Sequence, residues 1–152
     1  MSHRLKLFMV RNGIAGDVIE LSAEQAKTSE SAAAAVNIPV DQIAKSIVLV
    51  GSKTYVVVIS GGKRIDLKKF AKVVDEPVRL ATHDEVLRET GFEVGGVPPF
   101  GHLRKLKTFV DKSILSYDVV YASGGAANLL LKISVDMLLK GCGGEVVDVS
   151  KG

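Results

Sequence analysis

Two β-branched runs joined by three residues set the strongest limit on this fold. They are Ile43-Ala44-Lys45-Ser46-Ile47-Val48-Leu49-Val50 and Thr54-Tyr55-Val56-Val57-Val58-Ile59, with Gly51-Ser52-Lys53 between them. Both have strand composition, and a short glycine-bearing connection predicts an antiparallel hairpin. Strand side chains alternate between faces. Ile43, Lys45, Ile47 and Leu49 therefore share one face, and Ala44, Ser46, Val48 and Val50 the other. Lys45 is then a single positive charge among apolar neighbours. An unpaired ammonium is costly to bury, and the strand itself carries no acid. The partner of Lys45 is either a carboxylate from elsewhere in the chain or a ligand.

At 152 residues, 47% hydrophobic and 24% charged, the chain suits one globular domain with a substantial core. No apolar run approaches the roughly 20 residues that cross a bilayer. Residues 1–10 are too short and too interrupted by charge for a secretory signal. A cytoplasmic protein with no membrane partner is expected. Cys142, the single cysteine, has no disulfide partner and reads as a small filler residue in a turn rather than a nucleophile. His3, His83 and His102 share no metal-ligand spacing, so no metal is expected. The net charge of +3 is compatible with a polyanionic partner without demanding one. The absence of tryptophan and an aromatic content of 5% argue against a stacking platform for single strands.

Leu5, Phe8 and Met9 lie at helical spacing over residues 4–12, and Gly13 stands where a helix ends. Residues 17–21 alternate as a strand. Ser22-Ala23-Glu24-Gln25 has the form of a capping box and predicts a helix running through the alanine-rich residues 32–36, ended by Asn37 and Pro39. Residues 66–74 form a helix whose basic face, Lys68, Lys69 and Lys72, reads as solvated surface before it reads as a nucleic-acid contact. Residues 78–80 are extended, and Thr82-His83-Asp84-Glu85 opens a helix closed by Gly91, with His83 exposed in its first turn. Residues 107–111 and 113–116 read as extended, 117–122 and 127–133 as strands, and 145–149 as the last strand. Ser134 caps a short helix that Gly141 ends. This irregular alternation predicts an α+β fold, a single compact domain over residues 1–152 with a mixed, barrel-like central sheet flanked by helices.

Residues 95–102, Gly95-Gly96-Val97-Pro98-Pro99-Phe100-Gly101-His102, hold three glycines and two prolines and form neither a helix nor a central strand. A shaped binding loop and a plain surface loop weigh evenly on these residues alone, with Val97 and Phe100 pointing to packing. Ser123-Gly124-Gly125 is a second tight turn. No phosphate-binding G-x-x-x-x-G-K-[ST], no dinucleotide G-x-G-x-x-G after a strand and no G-x-S-x-G elbow occurs. What remains is a strand lysine and two glycine-rich turns. Backbone N–H groups in such turns hold an anion or oxyanion, and a lysine adds a point charge. These parts suit ester hydrolysis beside a phosphate, with water or the substrate supplying the nucleophile.

Ala44-Lys45-Ser46 leading a hairpin, Gly95-Gly96-Val97-Pro98-Pro99-Phe100-Gly101, and Ser123-Gly124-Gly125-Ala126-Ala127-Asn128 follow one another in the order and spacing of the YbaK/ProX family, which the chain resembles over residues 32–149. This family is the prolyl-tRNA-editing domain, also found inserted in prolyl-tRNA synthetases. The resemblance implies a freestanding trans-editing deacylase that hydrolyses the ester of mischarged tRNA, with no cofactor. It implies that Lys45 orients the 3′-terminal nucleotide and ester. It places the backbone of Gly95, Gly96, Val97, Pro98 and Gly101 near the ester, and Ser123, Gly124 and Gly125 in the same pocket. The aminoacyl-tRNA 3′ end is the implied partner, with prolyl-tRNA synthetase a further one. Where some relatives carry a polar residue after the second turn, this chain has Leu130, which points to a more apolar aminoacyl pocket. Asn128 is the nearest polar candidate, and Ser46 reads as packing on the opposite strand face.

Two other readings stay open. One is a non-catalytic module that binds an aminoacyl or nucleotide 3′ end. The other is a small-molecule binder in which Lys45 pairs with a buried acid such as Asp66 or Asp136.

Overall fold

The hairpin is the centre of the computed structural model, which describes residues 1–152. β2 (Ile43–Val50) and β3 (Thr54–Ser60) pair antiparallel, with Lys45 opposite Ile59 and Val48 opposite Val56. β3 then pairs in parallel with β5 (Lys107–Asp111), and β5 with β8 (Glu145–Val147). On the other side β2 meets β6 (Val119–Ser123), which continues through β7 (Leu129–Ser134) to β1 (Asp17–Glu20). The order is β1-β7-β6-β2-β3-β5-β8, and β4 (Arg79–Leu80) pairs with the end of β2. The sheet is mixed, as expected of this α+β chain, and stays open, with β1 and β8 at its ends.

Period two explains why β3 is apolar from Val56 to Ile59. Val56 and Val58 face the larger core, shared with Leu5, Phe100, Leu131 and Leu138. Val57 and Ile59 face a second core with Leu49, Phe70 and Phe109. A strand covered on both faces needs no polar alternation. A third cluster joins Ile43, Tyr121 and Leu130 to Ala32 and Ala33 of α2 (Ser29–Ala35). Lys45 sits between Ile43 of this third cluster and Ile47, which packs on the second.

Most helices begin and end where their caps predict. α1 (His3–Asn12) starts at Ser2 and stops at Gly13, and α3 (Leu67–Val74) is capped by Asp66. α4 (His83–Thr90) opens on the Thr82/Glu85 box and ends at Gly91. Four expectations need correction. The Ser22/Gln25 box forms, with Gln25 N–H donating to Ser22 Oγ at 3.2 Å, yet closes only a turn. A second box follows at Thr28/Ser31, and its cap residue must be extended (φ −139°, ψ 164°), which interrupts the first turn and starts α2 afresh. Residues 113–116 are not extended: Asp111 accepts the Ser113 N–H and closes a 3-10 helix, Lys112–Ser116. Gly141 does not end α5 (Val135–Cys142), which Gly143 closes in the left-handed region. Gly141 is a glycine for room rather than for a helix end: a Cβ there would meet Phe100 at 2.5 Å. The last strand also stops early, because the Val149 N–H turns to Asp111 Oδ1 at 2.8 Å. No helix is long and apolar enough to cross a membrane.

Glu85 ties α4 to β4. Its carboxylate takes Arg79 at 2.7 and 2.8 Å and the Thr82 N–H at 2.9 Å. The Arg79 guanidinium and then the Thr82 N–H pull the carboxyl from 4.5 to about 2. A depressed carboxylate stabilises above its unfolded pKa and loses that contribution as pH falls through the folded one. Glu85→Gln is therefore expected to lower Tm at pH 7, with the difference from wild type closing towards pH 2 in a thermal-melt series.

Candidate functional site

On its β6 side, β2 is paired only at its two ends. Ile43 and Ala44 pair with β6, Leu49 and Val50 with β4, and the stretch between faces the 95–101 loop. A cavity of about 330 Å³ fills this opening. Lys45, Ser46, Gly95, Val97, Ser123 and Leu130 line it, together with the start of α2. Four of the sequence-predicted residues, Lys45, Gly95, Val97 and Ser123, thus meet in one place.

The other six stand behind it. Gly96 packs on the second turn so closely that a Cβ would lie 2.9 Å from Ala126 Cα. Gly101, at φ 74°, lets the chain pass α1 at Leu5 and Phe8. Gly124 N–H donates to Leu129 O, and Gly125 N–H to Ser123 Oγ at 3.3 Å. These two N–H groups are spent inside the turn, so the expectation that they hold an anion does not fit. Asn128 O accepts the Leu21 N–H at 2.7 Å, and Asn128 does not line the cavity. Pro98 is buried with its carbonyl turned to His102.

The 95–101 loop is packed, not a plain surface loop: every residue from 96 to 101 is buried. Buried carbonyls need donors. Pro98 O receives His102 Nε2–H at 2.7 Å, and Pro99 O receives the Cys142 thiol at 3.3 Å. A carbonyl only accepts, so the Nε2 of His102 carries the hydrogen. Burial lowers the His102 pKa, and burial pushes the Cys142 thiol up to about 12. Cys142 is thus a protonated packing residue, as expected, although it closes a helix rather than sitting in a turn. Phe100 stacks on Phe8 of α1 at 5.3 Å. Gly96 N–H is taken by Glu93 O, whereas the N–H groups of Gly95 and Val97 have no acceptor within the chain.

Lys45 is half-buried and donates to Gly61 O at 3.3 Å. Desolvation by burial lowers its pKa, Glu30 of α2 acts in the opposite direction, and Arg64 lowers it further. It forms no ion pair. Asp66 caps α3 instead, and Asp136 lies in the first turn of α5, which removes the buried-acid reading. Glu30, which tempers Lys45, lies on a neighbouring helix and gave no sequence signal. Ser46 is on the opposite face from Lys45, as expected, but also lines the cavity. Its Oγ is buried without a partner. The cavity wall holds no histidine, cysteine or carboxylate.

Residues 23–140 match the aminoacyl-tRNA editing domain family. The chain is 32% identical over 120 residues to the uncharacterized protein YwhH of Bacillus subtilis, covering 78% of this chain and 76% of that protein. It is 27% identical over 131 residues to EbsC of Enterococcus faecalis, named as a candidate Cys-tRNA(Pro)/Cys-tRNA(Cys) deacylase, covering 84% and 80% of the two chains. A solved structure described as a candidate trans-editing enzyme for prolyl-tRNA synthetase superposes with a TM-score of 0.93 at 37% identity, over 100% of this chain and 99% of that one. With the match spanning α2, the hairpin, both glycine-rich turns and most of α5, the chain belongs to the aminoacyl-tRNA editing domain family.

Proposed function

We propose that this chain is a trans-editing deacylase whose cavity holds the aminoacyl ester of a mischarged tRNA, most directly one for proline, in the cytoplasm. The observation that carries the reading is the meeting of one half-buried, unpaired lysine with two unspent backbone N–H groups, Gly95 and Val97, around one cavity. Lys45 orients the terminal nucleotide and its ammonium stabilises charge at the ester. The Gly95 and Val97 amides serve the oxyanion that forms when water adds to the carbonyl carbon. The carbon–oxygen bond to the ribose then breaks, the ribose oxygen takes a proton, and the free amino acid leaves. With no imidazole, thiol or carboxylate in the wall, the proton acceptor for water comes from solvent or the substrate. The unpartnered Ser46 hydroxyl supplies a hydrogen bond to the aminoacyl group. Gly96, Pro98, Gly101, Gly124 and Gly125 shape the walls. Asn128 contributes its carbonyl to the Leu21 N–H just past β1 rather than a side chain to substrate.

A panel of mischarged tRNAs tests this reading: multiple-turnover release of amino acid supports it. The same lack of an acid–base pair favours a second reading, a non-catalytic module that binds the charged 3′ end. Stoichiometric protection of the ester would decide for that one.

The cavity is small, and Leu129, Leu130, Val94 and Val97 give it apolar walls, which favours a small, weakly polar aminoacyl side chain. Leu130→Ala is expected to shift the kcat/KM ratio of a bulky to a small aminoacyl group upward by about 10-fold or more, the scale of a few methylenes in an apolar pocket. Parallel deacylation assays on the two substrates measure it.

A further inference from the structure

Beyond Lys45 the cavity gives way to a second, more open groove of about 620 Å³, also lined by Lys45 and Ile47. Arg64, Lys68 and Lys151 border it. Asp66 is the one acid there, and its carboxylate is engaged by the N–H groups of Lys68 and Lys69. Arg64 and Lys151 come from distant parts of the chain. An isolated bridge between Ile65 and Ser150, with Lys151 N–H donating to Arg64 O at 2.8 Å, sets them side by side. None of the groove's four cations forms an ion pair. Two other basic depressions are partly neutralised: near Lys53, Arg104 is held by Glu89 and Lys107 by Glu145, while Lys53 and Lys105 stay unpaired, and near Lys63 both Lys69 and Lys112 pair with Asp148. Leu80, 55% exposed, and Leu67 give the groove an apolar flank.

Unpaired cations around an apolar surface, continuous with the ester cavity, fit a chain of phosphates joined by sugars and bases. We infer that this groove seats the single-stranded 3′ end of the RNA. Arg64, Lys68 and Lys151 would neutralise the phosphodiesters that precede the terminal nucleotide, and Leu67 and Leu80 would lie against a sugar or base. The inference rests on the deacylase reading for its direction: the strand enters past Lys151 and ends at Lys45. It also moves Lys68 from the solvated face to the nucleic-acid contact that the sequence left as the second reading of that helix.

The test is fluorescence anisotropy with a 5′-fluorescein RNA tetranucleotide ending in CCA, across a salt series. Wild-type protein is expected to bind it. Arg64→Glu/Lys151→Glu is expected to weaken binding at least 10-fold and to make the log–log salt slope shallower by about 1.4, since each of the two phosphates no longer neutralised on a single strand contributes about 0.7. Arg64→Gln, a mild change at an exposed residue, is expected to lose about 2- to 5-fold, and its melting curve reports the fold. Lys6→Glu, on exposed α1, is expected to bind as wild type. No wild-type binding, a double variant within 2-fold of wild type, or an equal loss in Lys6→Glu each overturns the groove. The two readings separate cleanly. Binding through these residues without deacylation of any mischarged tRNA would leave the groove and remove the deacylase. Deacylation by wild type with a KM indifferent to the double substitution would do the reverse.

Discussion

Lys45→Ala is expected to lower kcat/KM for a mischarged tRNA by at least about 100-fold, about 2.7 kcal/mol of transition-state stabilisation, without unfolding the protein. The loss is large because no other cation shares the cavity wall except Lys27, whose ammonium pairs with Glu24 at 3.2 Å. The fold survives because the ammonium's bonds are few: one hydrogen bond to Gly61 O and no ion pair. Burial has already lowered its pKa, so the ammonium is less favoured in the fold than in the unfolded chain. That cost is present wherever the folded lysine is charged and fades as pH rises through its lowered pKa. Lys45→Met, which keeps the apolar stem, is accordingly expected to melt no lower than wild type at pH 7. Lys45→Arg is not expected to rescue, because a planar fork does not replace a point charge in a half-buried slot. The wild-type rate, after subtraction of spontaneous hydrolysis, should also fall on the alkaline side below 10.5, the value of an unperturbed lysine. Hydrolysis by Lys45→Ala at wild-type rates would end the assignment.

Much of this architecture was legible because its signals are local. The hairpin follows from alternation and a glycine turn, and α4 follows from the Thr82/Glu85 box and Gly91, while the α3 helix was legible without its Asp66 cap. What the sequence reading missed depends on partners far along the chain. Gly141 stands inside α5 as a glycine because Phe100 leaves no room for a Cβ there, while Gly143 takes the left-handed cap; the Phe100 contact is one no local pattern announces. Residues 113–116 coil because Asp111 engages Ser113 with one oxygen and Val149 with the other. Within the site, a lone charge exposed Lys45, and composition exposed the 95–101 loop. The side chains that satisfy its two proline carbonyls, His102 and Cys142, gave no such signal. Both look idle until the loop folds over them. Arg64 and Lys151 likewise become one feature only through the Ile65–Ser150 bridge.

Gly96→Ala is expected to damage the site as a whole rather than one contact within it. The reason is steric. Gly96 has no positive φ, but a Cβ would stand 2.9 Å from Ala126 Cα, 3.1 Å from its carbonyl carbon and 3.2 Å from Ala127 N. These are backbone atoms and cannot rotate aside. The 95–101 loop must therefore part from the 123–128 turn, and the cavity walls at Val97 and Ser123 separate with it. Overpacking of this kind costs about 1–3 kcal/mol, so Tm should fall. The kcat/KM should fall more than stability alone accounts for, by about 10-fold or more at a temperature where the variant is fully folded. Gly143→Ala provides the matched control. It strains a left-handed cap at φ 55° but meets nothing within 4 Å, and it lies outside the ester cavity. It should lose about 1 kcal/mol of stability and keep its deacylation rate. If both variants lost activity in step with stability, the junction of the two turns would matter only to folding. A loss confined to Gly96→Ala would mean that the close approach of these loops is what holds the ester in place beside Lys45.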